Sequence, residues 1–315
     1  MWGFAARRGA MLVAALLVSS FVVFASLDLA PGDPLSTLSG GRTLPPEATA
    51  QLRAQYHLDD PFLTRYVHWL GNVLHGDLGT SIAFRESVSS VIGARIGTTV
   101  ELVLYAALLI VVFGVGLGVA SGLRRGVLDH SIVVLTTVFA AVPSFVAAIV
   151  LLSVFSVNLG WFPAIGAGDG GLDTVKHLTL PAVALALSAM AIVVRVTRVA
   201  VRTEMGREHV QTAVSRGIPN PQMVRRHVLR NAAIPVTTVV GITITSLIAL
   251  SAVVERAFSL DGLGAALVQA ALSKDFAVVQ GIALIFVTAF VVANAIVDLL
   301  YAFMDPRVAI GSRAS

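Results

Sequence analysis

The chain has 315 residues, 56% of them apolar and 13% charged, with a net charge of +4 and no cysteine. Soluble domains average about 45–50% apolar and about 25% charged residues. This composition, with a mean hydropathy of +0.86, therefore excludes an ordinary soluble fold and points to an all-α, polytopic membrane protein. Without cysteine there is no disulfide framework, thiolate metal site or cysteine nucleophile.

Crossing about 30 Å of hydrocarbon takes about 20 apolar residues in a helix. Six runs meet that length: Gly9–Leu29, Thr98–Gly122, Ser131–Val157, Leu180–Val201, Ala232–Val254 and Phe276–Met304. The first run follows Arg7 and Arg8, as a secretory signal would. Its length and the lack of a small-residue cleavage site after it favour a span.

Residues 31–97 form a long polar connection. It opens on "APGDP", whose prolines end a helix. "PPEATAQLRAQYHL" and "RYVHWLGNVLHGDLGTS" predict short helices on the outer face, with Tyr66, Trp69 and Trp2 as interfacial anchors. In the second span Gly114, Gly118 and Gly122 recur every four residues. This smooth stripe suits close helix packing, within the chain or against a partner. Pro143 breaks the third span, and the Gly-rich loop from Asn158 to Thr179 is expected to be irregular.

The fifth span carries Thr238, Thr245 and Ser246, with Gly241 on the face of the two threonines; Asn294 lies on the sixth. These four polar residues are pore-lining candidates. Equally, the hydroxyls can bond back to their own helix.

With the N-terminus inside, 14 of the 22 Lys and Arg residues fall in the shorter, internal segments, including eight arginines from Arg195 to Arg230. The basic excess is thus a topology signal with both termini cytoplasmic, and not a nucleic-acid footprint. The domain plan is a first helix (1–30), an external loop (31–97), a five-helix core (98–304) containing a cytoplasmic loop at 202–232, and a cytoplasmic tail (305–315).

No G-x-x-x-x-G-K-[ST] phosphate loop, H-E-x-x-H or G-x-S-x-G occurs, so no catalytic residue is assigned. The seven histidines lack ligand spacing, so no metal site is assigned either. Asp28 and Glu101 lie near span ends, and Asp298 is expected at the cytoplasmic interface. That leaves few acids for an ion-coupled carrier, the alternative of another class.

The most polar helical segment, "EMGREHVQTAVSRGIPNPQMVRRHVLRNAAIP" (Glu204–Pro235), is therefore cytoplasmic. Gly217 suits a helix end, and "IPNP" forces a turn. Such a helix can lie on lipid headgroups or dock on a cytoplasmic protein.

"HVQTAVSRGI" and "HVLRNAAIP" resemble the cytoplasmic EAA loop of ABC importer permeases of the dipeptide/oligopeptide/nickel group. "LAPGDP", "GDLGTS", "VPSF", "HLTLPAVAL", "ERAFSLDGLG" and "VDLLYAFMDPR" resemble, in the same order, its B-type inner-membrane subunit. Gln211 and Thr212 replace the Glu-Ala of the general motif, Ser215 an alanine and Arg216 a lysine.

The resemblance implies a type I ABC importer permease fold with six transmembrane helices in a bacterial cytoplasmic membrane. It implies a C-type homologous permease, two cytoplasmic ATPase domains and an extracytoplasmic substrate-binding protein as partners, beside membrane lipid. No cofactor would be bound by this chain; ATP and Mg2+ would sit on the ATPase subunits. Glu208, Gln211, Thr212, Ala213, Arg216 and Gly217 would couple to the ATPase, the small Ala213 and Gly217 permitting close approach. Peptides are the implied cargo, with nickel chelates, haem, glutathione or oligosaccharides as alternatives.

Overall fold

The computed structural model of the chain describes residues 2–28, 45–47, 50 and 60–304. The "APGDP" turn, most of "PPEATAQLRAQYHL" and the tail from residue 305 lie outside them, as do the side chains of Trp2, Asp28 and Asp298.

Among the described residues every apolar run is helical, apart from a break at Val142 and Pro143. We number the helices α1 (Trp2–Asp28), α2 (Phe62–Leu74), α3 (Val88–Leu123), α4 (Val127–Ala141), α5 (Ser144–Asn158), α6 (Gly171–Met205), α7 (Glu208–Ser215), α8 (Asn220–Ala257), α9 (Leu263–Leu272) and α10 (Phe276–Met304). Five of them are long and apolar enough to cross a membrane, and the pair α4–α5 supplies a sixth crossing if taken as one span.

That third span is not straight: α4 and α5 meet at 100°. Pro143 has no N–H to continue the ladder, and Val142 before it is extended, with ψ 116°. α5 then restarts on the Pro143 carbonyl, which accepts from the Ala147 N–H at 3.0 Å. The loop after α5 is irregular only as far as Gly170. Residues 171–179, expected in the loop, already belong to α6.

α6 is the mast of the fold. It is buried on opposite sides, with Ala182, Ala186 and Ala189 on one and Ala184 and Ala191 on the other, so neighbouring helices approach closely. α3 supplies the complementary stripe. A Cβ on Gly118 would stand 2.5 Å from Thr197 Cβ, and one on Gly122 2.8 Å from Val201 Cβ. The stripe is therefore used for packing within the chain.

α2 docks on α1 through aromatic rings. Tyr66 packs edge-on to Phe21 at 5.3 Å, Trp69 lies 5.4 Å from Phe24, and the Tyr66 hydroxyl meets Ser20 Oγ at 2.9 Å. Tyr66 and Trp69, two of the three expected interfacial anchors, thus pack on the first span.

Two buried carboxylates fix the external side. Asp275, 1% exposed, accepts from Ser81 Oγ (2.6 Å) and the Ala83 N–H (2.9 Å), tying the "GDLGTS" loop to the start of α10. Glu255 is fully buried near the end of α8. It accepts from Thr99 Oγ1 of α3 (2.8 Å) and from the Ala265 N–H in the first turn of α9 (3.0 Å). A helix N-terminus favours a negative charge, so one side chain joins three helices.

Candidate functional site: the cytoplasmic segment

The polar segment folds as the short helix α7 between α6 and α8. Glu208 sits in its first turn, where a carboxylate suits the helix dipole. The helix closes on Gly217, at φ +73°. The Gly217 N–H donates to the Val214 carbonyl (2.9 Å) and the Ile218 N–H to the Ala213 carbonyl (3.2 Å). These are the paired bonds of a glycine-terminated helix, and a left-handed residue is needed to make them. Pro219 then precedes α8, which carries Pro221 in its first turn.

α7 has two faces. Val210 and Ala213, three residues apart, are 2% and 4% exposed. They join Val201 of α6 with Met223, Val228 and Ala232 of α8 in a small cytoplasmic core. The opposite face is open: Glu208, Gln211, Thr212, Ser215 and Arg216 are exposed, and Val214 is 58% exposed among them. Of the six coupling residues expected from the sequence, five are therefore accessible. Ala213 is not; its small side chain lies in the chain's own cytoplasmic core.

Polar contacts carry α7 on to both long helices. Glu204 of α6 lies 3.3 Å from Arg207 Nε and 3.8 Å from His209 Nε2. The same His209 nitrogen lies 3.2 Å from Asn231 Nδ2 of α8. Above this cluster an open cleft of about 580 Å3 separates α6 from α8, lined in part by Arg195, Thr203, Glu204, Arg207 and Asn231.

A second network braces the same end. Asp129 of α4 receives Arg198 Nε (2.6 Å) and Nη2 (2.9 Å), Arg202 Nη2 (3.0 Å) and Ser121 Oγ (2.5 Å). The Arg198 guanidinium, then Ser121 and Arg202, hold its carboxyl well below the usual carboxylate range, against the opposing effect of burial. α3, α4 and α6 are thereby fastened together. Sequence reading missed this centre, although Arg198 and Arg202 stand four apart on one helix face.

The pore-lining candidates are bonded within their own helices. Thr238, Thr245, Ser246 and Asn294 each return a donor to a carbonyl of their own helix, at 3.1, 2.8, 2.7 and 2.9 Å. Thr245 is 1% exposed, and Gly241 on its face abuts Val297 of α10. The other three are half-buried.

Residues 114–310 match the family described as binding-protein-dependent transport system inner membrane component, and residues 1–103 match its N-terminal counterpart. A putative peptide transport system permease protein of Brucella abortus is 37% identical over 306 residues, covering 96% of this chain and 97% of its own. The oligopeptide transport system permease protein AppB of Bacillus subtilis is 36% identical, with 96% and 98% covered. The dipeptide permease DppB of Escherichia coli is 32% identical, with 98% and 99% covered.

Among solved structures, the inward-facing MetNI methionine ABC transporter matches 68% of this chain and 96% of its own, with a TM-score of 0.55 and 17% identity. That likeness shows the type I permease fold. With its six apolar runs and a family match over most of its length, the chain belongs to the inner-membrane components of binding-protein-dependent ABC transport systems.

Proposed function

We propose that this chain is the B-type permease of an ATP-driven peptide importer and forms half of its pore. The carrying observation is α7: a short helix with a polar, exposed outer face and an apolar inner face locked into the cytoplasmic ends of α6 and α8. Its curated relatives are named for peptide, dipeptide and oligopeptide transport, which supports peptides as the cargo.

In this reading the chain has no ATPase site of its own. ATP and Mg2+ are bound by two cytoplasmic ATPase domains, and each permease lays its α7 in a groove on one of them. Glu208, Gln211, Thr212, Arg216 and the turn at Gly217 form the contact. When the ATPase pair closes, α7 moves as a rigid body. The small core and the Glu204–His209–Asn231 contacts pass that motion to α6 and α8. A C-type permease completes the pore, and the half-buried Thr238, Ser246 and Asn294 meet cargo only once it is in place. A substrate-binding protein delivers the peptide from outside.

The test is uptake of a labelled peptide into proteoliposomes holding both permeases and the ATPases. Accumulation that needs both ATP and the binding protein supports the proposal. Uptake driven by an ion gradient without ATP would overturn it.

A further inference from the structure

His209, near the start of α7, stands between two partners that make opposite demands on one nitrogen. Its Nε2 lies 3.2 Å from Asn231 Nδ2 of α8 and 3.8 Å from Glu204 Oε2 of α6. An amide nitrogen only donates, so the contact with Asn231 needs Nε2 bare, as an acceptor. A carboxylate only accepts, so a bond to Glu204 needs a proton on Nε2. The two bonds exclude each other.

Both partners are held in place. Asn231 Nδ2 also donates to the His227 carbonyl, one turn earlier on α8, at 3.0 Å. Turned over, the amide would set oxygen against oxygen there, so it can suit a protonated ring only by giving up that bond. Glu204 Oε1 lies 3.3 Å from Arg207 Nε, and the Glu204 side chain is 14% exposed. The His209 side chain, 42% exposed, is the freer member and can take a proton from the cytoplasm. Closing 3.8 Å to a charge-assisted bond of about 2.8 Å carries the ring about 1 Å towards α6 and away from α8. The other charges nearby come from each element. α7 brings Glu208, and α8 brings His227, whose ring centre is 6.4 Å away. Arg202 of α6 is committed to Asp129. Arg225, Arg226 and Arg230 of α8 make no ion pair or side-chain hydrogen bond among the described residues. Of the acids among the described residues, Glu204 alone pairs with His209.

We propose that His209 is a proton-responsive latch on α7. Neutral, it accepts from Asn231 and ties α7 to α8; protonated, it donates to Glu204 and moves that polar tie to α6. Histidine suits the task because its charge ordinarily changes between about pH 5 and 8. The latch follows from these contacts alone, and its effect on transport rests on the importer reading above. There, an acidified cytoplasm removes one link between the ATPase and α8, so less peptide enters per ATP hydrolysed.

The test uses the complete importer in proteoliposomes, with this chain 15N-labelled at histidine. Two quantities are followed as the pH on the ATPase side falls from about 8 to about 5. One is peptide accumulated per ATP hydrolysed. The other is the protonation of the His209 ring nitrogens by solid-state NMR, the signal being assigned by its loss in H209Q. At the high end Nε2 should be the bare nitrogen, and N231A should move the neutral ring's proton onto it. As both nitrogens become protonated, the uptake ratio should fall about fivefold, the equilibrium weight of one hydrogen bond. H209Q, whose amide oxygen takes no proton, should flatten that response. H209K, charged throughout, should show the low ratio at every pH, and H227Q should respond as the wild type does. A proton on Nε2 in the neutral ring, or an unaltered pH response in H209Q, would overturn the latch and leave the importer reading standing. Absence of ATP-dependent uptake at every pH would overturn the importer reading, and the NMR signature would still decide the latch.

Discussion

Gly118 and Gly116 lie two residues apart on α3 and face different surroundings, so the same substitution should act differently at each. A Cβ at Gly118 would meet Thr197 Cβ at 2.5 Å, Thr197 Cγ2 at 2.9 Å and the Val194 carbonyl oxygen at 2.9 Å. Carbon atoms rest about 3.5–4.0 Å apart, so G118A pushes α3 away from α6 by roughly 1 Å. The Val194 carbonyl is backbone and has no rotamer in which to retreat. A Cβ at Gly116 meets nothing within 4 Å. Both substitutions share the gain of about 0.8–1.0 kcal/mol in helix propensity, so their difference is the packing cost alone, about 1–3 kcal/mol. G122A should resemble G118A, because its Cβ meets Val201 Cβ at 2.8 Å and the Arg198 carbonyl at 3.0 Å. G114A should fall between, its nearest contact being 3.2 Å. Thermal unfolding of the detergent-solubilised protein ranks the four. If G116A proves as damaging as G118A, the stripe is not held on α6 and the packing argument fails.

Three further outcomes follow from the same geometry. Asp129 has its pKa lowered by folding, so its stabilisation is fully present above the unfolded carboxylate value of about 3.9 and drains as pH falls towards the folded one. Wild-type protein should therefore lose melting temperature as pH drops through the acid range, and D129N should lose less over the same range; parallel pH curves would argue against the network. E255A leaves the Ala265 N–H and the Thr99 hydroxyl without their acceptor and should cost about 1–3 kcal/mol; E255Q, which keeps one acceptor oxygen, should cost less, and chemical denaturation compares the two. G217A forces a Cβ into the left-handed region at a cost of about 1–2 kcal/mol; amide exchange at positions 217 and 218 should quicken, whereas unchanged protection would show that the turn does not depend on the glycine.

Much of the fold could be read from the chain, because apolar runs of spanning length leave a membrane helix few alternatives. Pro143 and Gly217 were legible for the same reason: proline removes a donor and glycine admits a left-handed turn wherever they occur. The angle at Pro143 was not legible, since it is set by what α4 and α5 pack against. The orientation of α7 was only half legible. Val210 and Ala213 are spaced like an inward face, but a small alanine reads equally well as a surface for a partner. Asp129 was missed because its two arginine partners come from a helix distant in sequence, Arg198 lying 69 residues away. Glu255 was visible only as one letter of a motif, since its acceptor role exists only once α3 and α9 are side by side.

The claim that α7 couples this chain to an ATPase is tested most directly by its two faces. Thr212 and Ala213 are neighbours in sequence; one is exposed and the other is 4% exposed. In the assembled importer, T212C should form a disulfide with a cysteine placed in the ATPase groove, and A213C should not. Crosslinking at A213C alone, or labelling of T212C by an impermeant reagent only from outside the cell, would contradict the account.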